Sequence, residues 1–193
     1  MPELPEVETI RKGLEKYLVG HKIVDVEVRL PKLVTGDRLQ VTGAKIKGVR
    51  RAGKGLLIDL DNGYSIAIHI KLTGQLIYRG VSPAFAKAMA GKRVSWERIG
   101  GDLPNKWTHI IFKLDKGAFI YYNDIRQFGW IKIVKTDEVN TLPFFKELGP
   151  EPLVGGASSG QAILTLEQFR KITGKASTKI KPLLMDQTKI GGV

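Results

Sequence analysis

The sequence contains no cysteine. That removes disulfides and any cysteine-held zinc site from this chain, and it fits a cytosolic setting. No apolar run approaches the ~20 residues that cross a bilayer, and no secretory leader is visible. Three signatures of common catalytic sites are missing: a glycine-rich loop ending in Gly-Lys-Ser/Thr, His-Glu-x-x-His, and Gly-x-Ser-x-Gly. No internal repeat is evident. Acids are scarce beside bases, with 19 Asp+Glu against 31 Lys+Arg and a net charge of +12. A chain this positive points to a polyanion, usually nucleic acid, although lysines scattered over a soluble protein give the same balance. The 42% of apolar residues among 193 excludes a disordered chain. It is enough for one good core, or for one domain with part of another.

The elements that are present begin with a helix from about Pro5 to Leu18. Pro5 suits a first-turn position, Glu6 and Glu8 complement the helix dipole, and Val7, Ile10, Leu14 and Leu18 form an apolar stripe ended by Gly20. Alternation over Val24–Leu30 predicts a half-buried strand. Turn residues at Asp61-Asn62-Gly63 separate Leu56–Leu60 from Tyr64–Ile70, and Asp115-Lys116-Gly117 separates Thr108–Leu114 from Ala118–Asn123. The fold class expected is α+β, mainly β: an antiparallel β-sandwich with flanking helices, one of them N-terminal. A short helix is expected over Ser82–Gly91. The character changes near Lys135. Leu148–Leu153 is rigid and Gly155–Gly160 flexible, so residues 1–135 read as one domain, 136–160 as a linker and 161–193 as the start of a helical domain. Thr165-Leu166-Glu167-Gln168 predicts a capping box opening a helix, followed by the basic positions Lys171, Lys175, Lys179 and Lys181.

Four places could carry chemistry. Pro2 offers a secondary amine once Met1 is removed, with Glu3 beside it to move protons. Met-Pro is equally a common start. Lys54, between Gly53 and Gly55, could hold a phosphate or serve as a strand-entry lysine. His69 and Lys71 would share one face if the strand continued, a polar face suited to phosphates, although a lone strand histidine is often structural. Arg126 and Phe128 stand two apart in a loop before Gly129. Arginine can replace the hydrogen bonds of an orphaned base and phenylalanine can wedge into a base step. The plainer alternative buries Phe128 and pairs Arg126 with Asp124.

Taken together these stretches resemble the bacterial formamidopyrimidine-DNA glycosylase family. The carriers are Met1–Thr9, the turn at Lys54, His69-Ile70-Lys71-Leu72-Thr73-Gly74, Asp124–Gly129, Leu148–Leu153 and Ile180–Asp186. The resemblance implies a bifunctional glycosylase and lyase acting on oxidised purines, with double-stranded DNA as partner, no membrane and a monomeric state. It implies catalytic roles for Pro2, Glu3, Glu6 and Lys54. Pro2 would attack C1′ and form a Schiff base, Glu3 would open the sugar ring, and Lys54 would engage the neighbouring phosphate. DNA contact would fall to His69, Lys71, Leu72, Arg126, Phe128 and Lys181, with Leu72 in a position the family usually gives to methionine. Gln127 stands where a second arginine is usual. The family continues beyond Val193 with the rest of a helix–two-turn–helix motif and a four-cysteine zinc finger. The expectation is therefore an incomplete enzyme, with no cofactor in this chain and one structural zinc in the missing region. Two alternatives remain open: an endonuclease VIII-like enzyme for oxidised pyrimidines, and a non-catalytic DNA-binding module.

Overall fold

The computed structural model describes residues 2–80, 101–152, 162–174 and 176–192. The helix expected over Ser82–Gly91 and the run Gly155–Gly160 lie outside them, as do Met1 and Lys175. Among the described residues the chain forms two facing sheets. One has the order β1 (Ile23–Val28), β7 (Thr108–Leu114), β8 (Phe119–Asp124), β6 (Gly74–Arg79). The other has the order β2 (Val34–Thr35), β9 (Trp130–Lys135), β5 (Tyr64–His69), β4 (Gly55–Leu60), β3 (Ile46–Ala52). Both expected hairpins are present, as β4–β5 and β7–β8.

The period-2 pattern decides what each strand buries. Leu56 and Ile58 of β4, Ile66 and Ile68 of β5, and Ile131 and Ile133 of β9 meet Ile110, Phe112, Ile120 and Tyr122 of the other sheet in one core. Helix α1 (Leu4–Leu18) adds Val7, Leu14 and Leu18 to that core. Burying each of these side chains stabilises the fold by roughly 2 kcal/mol. Leu57 and Ala67 point to the opposite face of the five-stranded sheet, where Val139, Phe145 and Trp130 cover them. Because both faces of β4 are covered there, Leu56, Leu57 and Ile58 form an unbroken apolar run.

One expectation is corrected. The alternation through Val24, Val26 and Val28 breaks, because a bulge between Ile23 and Asp25 shifts the register. Ile23 and Val26 are therefore buried while Val24 is 53% exposed. The sandwich is antiparallel as expected, apart from the two-residue strand β2, which pairs with β9 in parallel. After β9 the chain forms the turn Thr136–Thr141 and the short helix α2 (Pro143–Lys146), which pack on the five-stranded sheet.

Beyond α2 the chain is tied back to the sandwich. Glu151 bridges to Ile163. The capping box forms as expected: Gln168 N–H donates to Thr165 Oγ1 and Thr165 N–H to Gln168 Oε1, at 3.1 and 2.9 Å, opening α3 (Leu166–Gly174). Helix α4 (Ile180–Met185) follows, and the turn after it buries Ile190.

Candidate active site

Pro2 and Glu3 are pinned from two sides. Glu3 N–H donates to Glu6 Oε2 at 3.0 Å, which fixes the start of α1. Glu6 thus sets the backbone of Glu3. Leu4 N–H donates to the Gly192 carbonyl at 2.8 Å. Gly192 has φ +95°, and a Cβ there would lie 2.6 Å from Leu4 Cδ1, so the approach requires glycine. The turn bearing Gly192 is itself held by Gly149 N–H to Gln187 O at 2.8 Å and Gly191 N–H to Pro150 O at 3.0 Å. Sequence reasoning recognised Leu148-Gly149-Pro150 as a motif but not that it buttresses the N-terminus.

Lys54 occupies the β3–β4 turn and is only 4% exposed. Burial pushes its amine pKa down, while the charges of Glu3 and Glu6 pull it up, which places all three in one electrostatic neighbourhood. Its two glycines serve packing. A Cβ at Gly53 would lie 2.9 Å from Leu148, and one at Gly55 would lie 2.8 and 2.7 Å from the Phe144 and Phe145 rings.

Gly55 pairs across the sheet with His69. The His69 ring is 4.6 Å from Phe144 and 5.7 Å from Trp130, centroid to centroid. Burial first, then the charges of Lys71 and Lys54, holds its pKa down at about 3, so the ring is neutral. β5 ends at His69, and Lys71 turns with φ +49°, its N–H donating to His69 Nδ1 at 3.0 Å. The shared strand face expected for His69 and Lys71 therefore does not form. The chain leaves the sheet at that point to cross to the other one. His69 supports this crossing from beneath and presents no positive charge.

Two crossings lie side by side at this end of the sandwich. Residues 70–73 lead from β5 to β6 and residues 125–129 from β8 to β9, and Gly74 pairs with Asp124 while His69 pairs with Trp130. They expose Leu72 (41%), Ile125 (55%) and Phe128 (56%). The Arg126 guanidinium lies 4.8 Å over the Phe128 ring. Phe128 is thus outside the core. The Asp124 carboxylate is fully buried and taken by Thr73 Oγ1, by Gly129 N–H at 2.8 Å and by Tyr122 Oη at 3.4 Å, so it does not pair with Arg126. Gly129 cannot be larger: a Cβ would overlap the Tyr122 hydroxyl and come within 2.8 Å of the His69 carbonyl. Lys181 is exposed in the first turn of α4, and no hydrogen bond or ion pair joins it to these groups among the described residues.

The structure thus sets the acid Glu3 within charge range of the buried Lys54, and exposes Leu72, Arg126 and Phe128 on two adjoining crossings. Residues 1–131 match the family model of the formamidopyrimidine-DNA glycosylase N-terminal domain, and the chain belongs to that family. It is 40% identical over 198 residues to the formamidopyrimidine-DNA glycosylase of Pelotomaculum thermopropionicum, covering 100% of this chain and 62% of that protein. The Desulforamulus reducens protein of the same name is 36% identical with the same coverage. Among solved structures, the Lactococcus lactis enzyme bound to DNA containing an N7-benzyl-Fapy-dG superposes with a TM-score of 0.78 at 30% identity, over 100% of this chain and 63% of that one. The same enzyme non-covalently bound to DNA with an AP site gives 0.77 at 28% identity, over 99% and 65%. The chain therefore spans under two thirds of the length of these relatives.

The four-cysteine zinc site implied by the family resemblance has no counterpart among the described residues. There is no cysteine, and the described residues contain no group of three or more His, Asp or Glu placed to hold a metal ion. The described residues also include no helix long and apolar enough to cross a membrane.

Proposed function

We propose that this chain carries the catalytic half of a DNA glycosylase and lyase that removes oxidised purines from double-stranded DNA in the cytosol, acting as a monomer. The observation that supports this reading is the charge of Glu3, the residue next to Pro2, acting on the buried Lys54.

The chemistry follows from those groups. With Met1 removed, Pro2 has a secondary amine whose class titrates near pH 8, so a useful fraction is neutral at pH 7. The amine nitrogen bonds to C1′ of the lesion as the bond from C1′ to the base breaks, and its N–H proton is then lost to solvent, which frees the nitrogen lone pair. The base departs with the electron pair and takes a proton from solvent. Glu3 delivers a proton to O4′ as the sugar ring opens, leaving an iminium between Pro2 and C1′. That iminium is an electron sink. Loss of the C2′ proton expels the 3′ phosphate, and a second elimination releases the 5′ phosphate. Lys54 neutralises the phosphate beside the lesion while these bonds break. Removing a base from the stack costs a few kcal/mol, and Arg126, Phe128 and Leu72, entering the void, offset part of that. The positive surface supplies salt-dependent affinity for the backbone.

Borohydride added during incubation with a duplex containing 8-oxoguanine should reduce the iminium and trap a covalent protein–DNA adduct. Absence of an adduct, or an adduct unchanged by Pro2→Gly, contradicts the proposal. A parallel incubation with thymine glycol decides between purine and pyrimidine lesions.

A further inference from the structure

The two exposed loops, already joined at their base by the Gly74–Asp124 strand pairing, are tied further by one buried group. Thr73, on the β5–β6 crossing, donates its hydroxyl to Asp124 Oδ1. The same hydroxyl oxygen accepts the backbone N–H of Arg126 at 3.0 Å. Oδ2 of Asp124 accepts Gly129 N–H at 2.8 Å and the Tyr122 hydroxyl at 3.4 Å. The Asp124 carbonyl accepts His109 Nε2 at 2.8 Å. Asp124 thus holds both ends of the β8–β9 crossing, and Thr73 carries that hold across to the residue after Leu72. Gln127, between Arg126 and Phe128, has φ +56°, a conformation that costs a non-glycine residue energy unless its surroundings fix it.

We propose that Asp124, acting through the Thr73 hydroxyl, is a positioning residue that makes Leu72, Arg126 and Phe128 a single rigid wedge. This rests on the proposed function only in taking these three side chains as the ones that enter DNA. A wedge that arrives already ordered loses little conformational freedom on insertion, whereas two independent loops would each have to be ordered in the complex. The carboxylate suits this task. It is fully buried, so its hydrogen bonds are charge-assisted and unscreened by water, and it accepts from both crossings at once. An amide or a hydroxyl at that position could not accept on both oxygens.

The test uses Thr73, which is partly exposed and can be changed without emptying the core. The probe is a duplex with a tetrahydrofuran abasic analogue and 2-aminopurine as the opposite base. No covalent step occurs on it, so the readout is unstacking alone. The unsubstituted chain raises 2-aminopurine fluorescence on binding. Thr73→Val should weaken the midpoint of that rise about tenfold, the equivalent of one charge-assisted hydrogen bond, and Thr73→Ser should restore it. Borohydride trapping on a single-stranded abasic oligonucleotide, which has no stack to open, should be equal in all three. An unchanged fluorescence midpoint in Thr73→Val, no rescue by Thr73→Ser, or equal losses on duplex and single strand would each overturn the proposal. Failure of the single-stranded trapping in the unsubstituted chain is a separate result and tells against Pro2 instead.

Discussion

Arg51 and Glu151, 100 residues apart, meet in a two-pronged ion pair at 2.8 and 3.0 Å with both side chains fully withdrawn from solvent. Arg51 Nε also donates to Glu8 at 2.9 Å, and Nη1 donates to the Gly53 carbonyl at 3.0 Å. One guanidinium therefore joins α1, the lysine-bearing turn and the segment that buttresses Gly192. Breaking a buried pair from one side leaves an uncompensated charge and costs about 3–5 kcal/mol. Glu151→Gln is expected near the lower end, because Glu8 still faces Arg51. Urea unfolding of the two proteins measures it, and a loss under about 1 kcal/mol would contradict this account of the tether.

Gly129→Ala tests the close approach at the wedge. The added methyl must displace the Tyr122 hydroxyl or the His69 carbonyl, so a destabilisation of about 2 kcal/mol or more is expected from overpacking. Thermal unfolding checks it, and an unchanged midpoint would mean that the loop moves aside without penalty.

His69 gives a pH prediction of definite sign. Its pKa lies at about 3 in the fold, against about 6.5 for an exposed histidine. The unfolded chain therefore binds the extra proton first. The stability due to neutral His69 is fully present above about pH 6.5 and is lost as pH falls from there toward 3, with a slope of up to about 1.4 kcal/mol per pH unit. In proton NMR the His69 ring signals should not titrate between pH 8 and 5. A midpoint near 6.5 would contradict the buried, aromatic-packed placement.

Lys54→Gln removes the phosphate partner but leaves the Pro2 amine. Cleavage of an abasic duplex should slow by about tenfold or more. The slope of log affinity against log salt should shrink by about one unit, the share of a single phosphate contact. Loss of borohydride trapping to the same extent as loss of cleavage would instead make Lys54 part of imine formation.

Local features were the legible part of this chain. The stripe Val7, Leu14 and Leu18, the two hairpin turns, and the Thr165–Gln168 capping box each depend on residues within a few positions of one another, and each is found as expected. The family motifs also pointed to Leu72 and Phe128, which stand exposed on two neighbouring crossings. What stayed hidden depends on the third dimension. A bulge at Ile23–Asp25 leaves no compositional mark, yet it turns Val24 outward. Nothing in Leu142-Pro143-Phe144-Phe145 names the surface it covers, yet Phe145 is buried against β4 and β5. His69 and Lys71 alternate like strand residues, and only the crossing between sheets separates them. The links from Arg51 to Glu151 and from Thr73 to Asp124 join residues far apart in sequence, and neither pair announces its partner.

The central claim is that the Pro2 nitrogen forms the covalent bond to DNA. Mapping the borohydride-trapped adduct by proteolysis and mass spectrometry tests it most directly. The account predicts that the added sugar-phosphate mass sits on a peptide that begins at Pro2. Its appearance on the peptide containing Lys54, or on an N-terminal peptide that still carries Met1, would contradict it.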